Sequence, residues 1–342
     1  MQSKRHEGRN DPVLDPDLPI VDSHFHLFDL PGNRYMLDDY LADAQGGHNV
    51  VASVYCETQT FARNSGSDWM RPLGEVEFAN GLADMTAAGQ YGKCKVNAGI
   101  IGHANLTFGA RIGELLDACM AAAPGRFRGI RQVTLDYPDD RPFRFIMSGR
   151  PPSGLLDHPE FANGLAELQK RGLVFDAAIY DPSLQRLAAL ADCFPDLTIV
   201  LNHMGNAVGV GMSAAERDGM FRRWSGNLRK LAERPNVLCK VGGLGMPIWG
   251  FGFEDRPDPV GYEELAETWA PYVETAIEAF GTRRCMMESN FPPDGRSAGY
   301  IPTLNAYKHL LRHCSDGEKL ALFAGNAIRS YRLDLPPLLA AA

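Results

Sequence analysis

The chain has 342 residues, 45% of them apolar and 22% charged, enough to bury the core of one large α/β domain or two medium ones. A formal charge of -8 and a pI near 5.6 argue against nucleic acid and anionic membrane as partners, though not against a locally positive pocket, and no apolar stretch approaches a membrane span. The seven cysteines are scattered and never in Cys-x-x-Cys spacing, which argues against a disulfide framework or a zinc ribbon and fits a reducing cytoplasm.

Residues 1–18 are polar, with early basic residues and no apolar segment of the signal-peptide kind. They read as an N-terminal arm ahead of one domain spanning 19–342. From Ile20 onward, short β-rich apolar runs alternate with longer helical patterns, as in repeated βα units around a parallel sheet. The strand runs are 20–24, 50–56, 95–101, 129–135, 173–179, 198–202, 237–241 and 285–289. Helical patterns lie at 74–89, 108–122, 158–171, 182–194, 214–234, 262–280 and 301–314, with a short one at 38–46. A final pattern, 316–331, opens on Ser315 and Glu318 as a capping box and is expected to flank the barrel. Eight such units predict an α/β chain folded as a single (β/α)8 TIM barrel, with chemistry on the loops after the strand C-termini.

The first strand run leads into Asp22-Ser23-His24-Phe25-His26. Alternation along a strand places His24 and His26 on one side and Phe25 in the packing behind them. His203, in Asn202-His203-Met204-Gly205, brings a third imidazole to the same end of the barrel. Three neutral imidazoles can hold a divalent metal, or can hydrogen-bond a carbonyl oxygen and steady the charge that develops as water attacks. Taken singly, each equally suits a hydrogen-bonded structural histidine.

The eighth strand carries Glu288-Ser289-Asn290. Glu288 shares a face with Asn290 one layer deeper, as a proton acceptor of raised pKa or as a structural carboxylate tied to Arg131 or Lys240. An amide at position 290 cannot accept a proton. Asp294, just beyond, reads as a solvated loop acid within reach of the site.

Other loop positions are candidates for substrate contact: Glu57, His103, Arg131 and Tyr180 after the second to fifth strands. An inward Arg131 would suit a substrate carboxylate through a bidentate pair, or would be matched by Glu57 or Glu288. Tyr180 would donate to a substrate oxygen or serve the packing. The glycine-rich loop 242–253 fails the Gly-x-Gly-x-x-Gly spacing of nucleotide sites. With Met246 and Trp249 it suits a lid or wall for a hydrophobic substrate, or an oligomer contact.

Val-Asp-Ser-His-Phe-His at the start, Leu-Asn-His-Met-Gly at the sixth strand, Met-Met-Glu-Ser-Asn-Phe-Pro at the eighth and the ending Gly-Asn-Ala-Ile-Arg-Ser-Tyr-Arg-Leu together resemble the amidohydrolase superfamily. The similarity runs from Ile20 to Leu333 and is greatest to the amidohydrolase-2 group, which includes 2-pyrone-4,6-dicarboxylate lactonase and sugar lactonases. The resemblance implies a barrel hydrolase whose site is lined by His24, His26, His203 and the eighth strand, with Arg131 and Tyr180 near the substrate. The lactonase branch typically works without a metal, and other members use one or two divalent ions. Arg131 and Tyr180 stand where a two-metal site would need a bridging residue and a histidine, and Asn290 stands where the lactonase pattern has Asp.

The expectation is therefore a cytoplasmic hydrolase that opens a lactone, or cleaves a related ester or amide, on a small carboxylate or an aromatic-catabolism intermediate. In it the three histidines polarise the carbonyl, Arg131 and Tyr180 hold an anion, Glu288 or Asp294 activates water and Asn290 orients it. No cofactor is favoured. A single zinc or manganese on His24, His26 and His203 would instead suit a decarboxylase or hydratase, and loss of the acid would leave a barrel that binds small molecules. Self-association into a homo-oligomer is open.

Overall fold

The computed structural model describes residues 11–146 and 149–335. Strand β1 (Ile20–Phe25) is followed by a hairpin of β2 (Phe28–Leu30) and β3 (Asn33–Tyr35), then helix α1 (Leu37–Ala44). The βα units continue with β4 (Val50–Cys56), α2 (Leu73–Ala87), β5 (Lys95–His103), α3 (Ile112–Ala122), β6 (Phe127–Val133) and α4 (Pro159–Lys170). Next come β7 (Val174–Ala178), α5 (Leu184–Cys193), β8 (Ile199–Leu201), α6 (Ala214–Ala232), β9 (Val237–Val241) and α7 (Tyr262–Phe280). The chain ends on β10 (Cys285–Met287), α8 (Tyr300–Leu310), α9 (Asp316–Leu320) and α10 (Asn326–Tyr331).

Eight strands form one parallel sheet in the order β1-β4-β5-β6-β7-β8-β9-β10, so each barrel strand pairs with the next in the chain. Closure is made just past the last strand. The Asn290 N–H donates to the His24 carbonyl at 2.9 Å, the His26 N–H donates to the Phe291 carbonyl at 2.8 Å, and Phe25 bridges Phe291. The buried Asp22 carboxylate reinforces this seam, accepting from the Ser289 N–H at 2.9 Å and the Ser289 hydroxyl at 2.7 Å. A register shift in β1 between Asp22 and Phe25 makes this possible. It turns Asp22 toward Tyr40 and Tyr300 among the helices, while His24 and His26 turn into the barrel.

Two separate apolar clusters result. The larger lies between the barrel and its helices, and the smaller fills the barrel interior near the strand starts, with Val21, Ala52, Val174, Val200 and Met286 packed on Ile328 and Tyr331. The pattern at 316–331 is broken by a π-helical turn over Ala321–Gly325, which resets the phase of α10 so that its apolar face meets the barrel. Residues 11–18 of the arm lie on α8, where Asn305 bonds Pro12 and Leu14, and the Lys308 ammonium donates to the Leu14 and Asp15 carbonyls.

The strand pattern does not predict the β2–β3 hairpin, because each arm is only three residues long. Its signal is Pro31-Gly32, with Gly32 at φ 75°, where glycine adopts a turn that other residues resist.

Above the lower apolar layer the interior turns polar. Lys240 Nζ lies 2.6 Å from Asp176, both fully buried, and Asp176 also accepts from the Tyr331 hydroxyl at 2.9 Å and the Asn202 amide at 3.1 Å. Removing one partner of a buried ion pair strands the other charge, whereas removing both does not. Lys240→Met is expected to lose about 3–5 kcal/mol in urea unfolding, and Lys240→Met with Asp176→Leu to recover most of it. Equal losses in the single and double variants would show that the pair is not what matters.

Candidate active site

His24 and His26 meet edge to face at the end of β1, with their Nε2 atoms 3.0 Å apart. The His26 Nδ1–H donates to the Cys56 carbonyl at 2.9 Å, which leaves His26 Nε2 with a lone pair. Lys240 Nζ stands 3.2 Å from His24 Nδ1, and a Glu288 oxygen 3.3 Å from the same atom. An ammonium can only donate, so with Lys240 charged the His24 proton sits on Nε2 and points at His26.

The third imidazole comes from an unusual backbone. His203, Met204, Gly205 and Asn206 all take positive φ, between 45° and 76°. The strain is held by the Trp224 indole N–H on the Met204 carbonyl at 2.8 Å and the Asn206 amide on the Ile179 carbonyl at 3.0 Å. This turn aims His203 back into the barrel, 4.7 Å from His24 between ring centres, with its Nδ1 2.6 Å from Glu288. Burial, followed by the charges of Lys240 and Arg131, pushes His24 and His203 well below the usual histidine range; burial and then Arg131 do the same to His26. All three imidazoles are neutral at neutral pH. Burial also raises the Glu288 carboxyl from 4.5 to about 8, only partly opposed by Lys240.

The loop 242–253 is explained by clearance. A Cβ on Gly243 would lie 2.6 Å from the His203 ring, and one on Gly242 would collide with Glu288. The two glycines therefore make room for the His203–Glu288 pair. Met246 does line the cavity, as that loop's wall role requires. Trp249 does not: it is buried against Tyr272, with its indole N–H on the Gly243 carbonyl at 2.8 Å, because the aromatic half of the loop packs onto α7.

A cavity of about 530 Å³ opens over the strand C-termini, bordered by His26, His203, Asn290, Arg131, Glu57 and Tyr180 among others. Three further expectations need correcting. Glu288 does not reach the cavity, since it lies beneath His203 and can act only through it. Asp294 is fully buried rather than solvated, accepting from the Gly245 N–H at 2.9 Å and the Asn290 amide at 2.6 Å. His103 stands behind the wall rather than on the cavity, with Nδ1 3.3 Å from the carbonyl of Arg131, its partner in the β5–β6 pairing. His24 lies just under His26.

Arg131 is matched by Glu57, with Nε on the carboxylate at 2.8 Å and Nη2 on the Glu57 carbonyl at 2.7 Å, leaving Nη1 3.4 Å from His24. The other Glu57 oxygen and the Tyr180 hydroxyl are buried with no hydrogen-bond partner among the described residues. A buried unpaired hydroxyl is destabilising by about 1–3 kcal/mol, so the Tyr180 hydroxyl has open hydrogen-bonding capacity on a residue that borders the cavity. The sequence reading missed Phe28, from the unpredicted hairpin, and Arg296, from the loop after β10; both border the cavity.

The donor set fits one divalent ion by type and spacing. Two facing Nε2 atoms 3.0 Å apart approach the separation of two ligands on one zinc, about 3.3 Å at bond lengths near 2.0 Å. His24, His203 and Glu288 form one group that can hold an ion, and His24, His26 and Cys56 another. The Nδ1 atoms of His24 and His203 face Glu288 and that of His26 faces a carbonyl, the outer partners that ligating imidazoles use.

A parallel barrel with three imidazoles, a carboxylate beneath one of them and a largely apolar cavity over the strand ends defines a barrel hydrolase. The chain belongs to the amidohydrolase family, whose model matches residues 21–333. The uncharacterised protein y4mH of Sinorhizobium fredii is 32% identical over 339 residues, covering 93% of this chain and 99% of its own. An L-fucono-1,5-lactonase of Burkholderia ambifaria is 29% identical over 226 residues, 64% of this chain and 66% of its own. An amidohydrolase from Burkholderia multivorans, solved with bound zinc, shares the fold at a TM-score of 0.68 and 23% identity, covering 92% of this chain and 99% of that one. Among the described residues no helix is long and apolar enough to cross a membrane.

Gly243→Ala tests the clearance argument. At φ 70° and with its Cβ against His203, the substitution is expected to cost about 1–3 kcal/mol in unfolding and to abolish the downfield NMR signal of the proton shared by His203 and Glu288. Unchanged stability with an unchanged signal would refute it.

Proposed function

We propose that this enzyme opens a lactone, or cleaves a related carboxylic ester or amide, by attack of water on a small carboxylate or an aromatic-catabolism intermediate. The observation that supports the reading best is the His203–Glu288 pair at 2.6 Å, with His203 facing the cavity and Glu288 behind it. When Glu288 is ionised, it accepts the Nδ1–H of His203, so the Nε2 lone pair is free to take a proton from water. Asn290 borders the same space with its amide nitrogen committed to Asp294, which leaves the amide oxygen as an acceptor to orient that water.

The carbonyl oxygen has two donors within the cavity wall, Arg131 Nη1 and the unpaired Tyr180 hydroxyl. As water adds, the C=O electrons move onto oxygen and meet these donors. His203 then returns the proton to the leaving oxygen as the C–O bond breaks, giving a hydroxy acid. His24 and His26 hold the neutral floor of the site, the hydrogen of His24 directed at His26 and that of His26 at the Cys56 carbonyl.

A second reading is supported by the 3.0 Å approach of the His24 and His26 Nε2 atoms: with His203 they would hold a single zinc or manganese. Bound there, the ion would supply a Lewis acid for the carbonyl and lower the pKa of water. Metal analysis of the purified protein decides between the two. About one ion per chain, lost in His26→Ala, establishes the second reading. Sub-stoichiometric metal with activity indifferent to chelators establishes the first.

The raised Glu288 pKa gives a pH dependence. Proton acceptance needs the ionised carboxylate, so kcat/KM on a lactone panel is expected to rise through about pH 8, and Glu288→Gln to lose this limb and most of the activity. Stability runs the other way: between pH 4.5 and 8 the folded chain holds a proton that the unfolded chain has released, so stability falls as pH rises across that window. A Glu288→Gln enzyme with undiminished activity and the same limb would remove Glu288 from the reaction.

A further inference from the structure

The ionisable side chains bordering the cavity, among the described residues, are His26, Glu57, Arg131, Tyr180, His203 and Arg296. The two imidazoles are neutral, Tyr180 keeps its proton, and Glu57 cancels Arg131 through their 2.8 Å pair. Arg296 has no such match. It makes no hydrogen bond or ion pair with any described residue, and its guanidinium carbon lies 5.7 Å from the ring centre of Phe145, within cation–π range. The cavity of a chain with formal charge -8 thus carries one uncompensated positive charge.

The remainder of the wall is largely apolar, with Phe28, Leu135, Met246 and Ile248 facing the space. Although Asn33, Thr58, Gln59, Thr60, Asn206 and Asn290 also border the space, these apolar side chains belong to the larger part of its surface and offer no partners to the hydroxyls of a sugar, whose unpaired burial is unfavourable. They favour a flat or aliphatic body. Arg131, the residue that the sequence suggests for anion binding, already has its carboxylate in Glu57.

We propose that Arg296 is the anion-binding residue of this cavity, and that the substrate carries, on an apolar aromatic or alkyl body, a carboxylate remote from its scissile carbonyl. The inference takes the location of the site from the hydrolase reading and adds the chemistry of what enters it. A guanidinium beside an aromatic face binds a carboxylate by charge-assisted hydrogen bonds while the ring shields the pair from water.

The test measures binding without turnover. The intact protein is titrated by calorimetry with 3-phenylpropionate and with the uncharged 3-phenylpropionamide, which share a body and differ in charge. The anion is expected to bind about 10-fold more tightly or better, and Arg296→Gln to erase that preference. Arg296→Met, which keeps the aliphatic stem over Phe145, gives the same comparison if the glutamine variant does not fold. Equal affinity for acid and amide in the wild-type protein, or an acid preference that survives both substitutions, overturns the proposal. A protein that shows the Arg296-dependent preference and yet hydrolyses no lactone or ester would sustain this inference while refuting the hydrolase reading.

Discussion

The site depends on the seam where the last strand returns to the first. Two backbone hydrogen bonds, Asn290 to His24 and His26 to Phe291, and the Asp22 carboxylate on Ser289 fix the relative height of the two chain segments. They connect residues separated by more than two hundred and sixty positions, so the entropy of closing that loop is recovered only when the intervening βα units have assembled. The seam therefore couples completion of the barrel to assembly of the site. It also explains why β1 needs its register shift: in an unbroken strand Asp22 and His24 would share a face, and the carboxylate that locks the seam would be inside the barrel beside the imidazoles.

Inside the seam, low dielectric governs what each group can do. Lys240, Asp176, Glu288 and His24 are all fully buried and within a few hydrogen-bond lengths of one another. Lys240 faces both Asp176 and His24, so it balances one charge and directs the proton of a neutral ring at the same time. The C-terminal helix reaches the same group through Tyr331 on Asp176. Helix α10 thus contributes to the polar interior as well as to the apolar layer beneath it.

Much of this is legible in the sequence where periodicity is long and strong. All eight barrel strands, the order of the units, the His24-x-His26 pair and the capping box at Ser315 follow from local pattern. What is not legible has a common cause, in that it depends on a third residue distant in the chain. The roles of Gly242 and Gly243 are invisible until His203 and Glu288 are seen to need the volume. Trp249 reads as a wall residue until Tyr272 of α7 is found to cover it. Asp294 reads as solvated because Gly245, which donates to it alongside the nearby Asn290, stands far away in the chain. Arg296 carries no pattern at all, and its interest comes only from having no acid paired with it among the described residues.

A partner four residues on accounts for the amide at position 290. Asn290 donates to Asp294 at 2.6 Å. An aspartate there would place two buried carboxylates in contact, and one of them would have to stay protonated. An amide avoids the repulsion but cannot take a proton, so the proposed reaction needs its proton acceptor elsewhere on the rim. Glu288 has the acidity for it but not the access. His203 has the access, and its left-handed turn delivers Nδ1 to Glu288. Two groups, each unsuited alone, together form an acceptor whose proton-binding end faces the cavity and whose charge stays buried. In the proposed reaction the place of the strand-eight acid is taken by a pair from two strand ends, the ring following β8 and the carboxylate following β10.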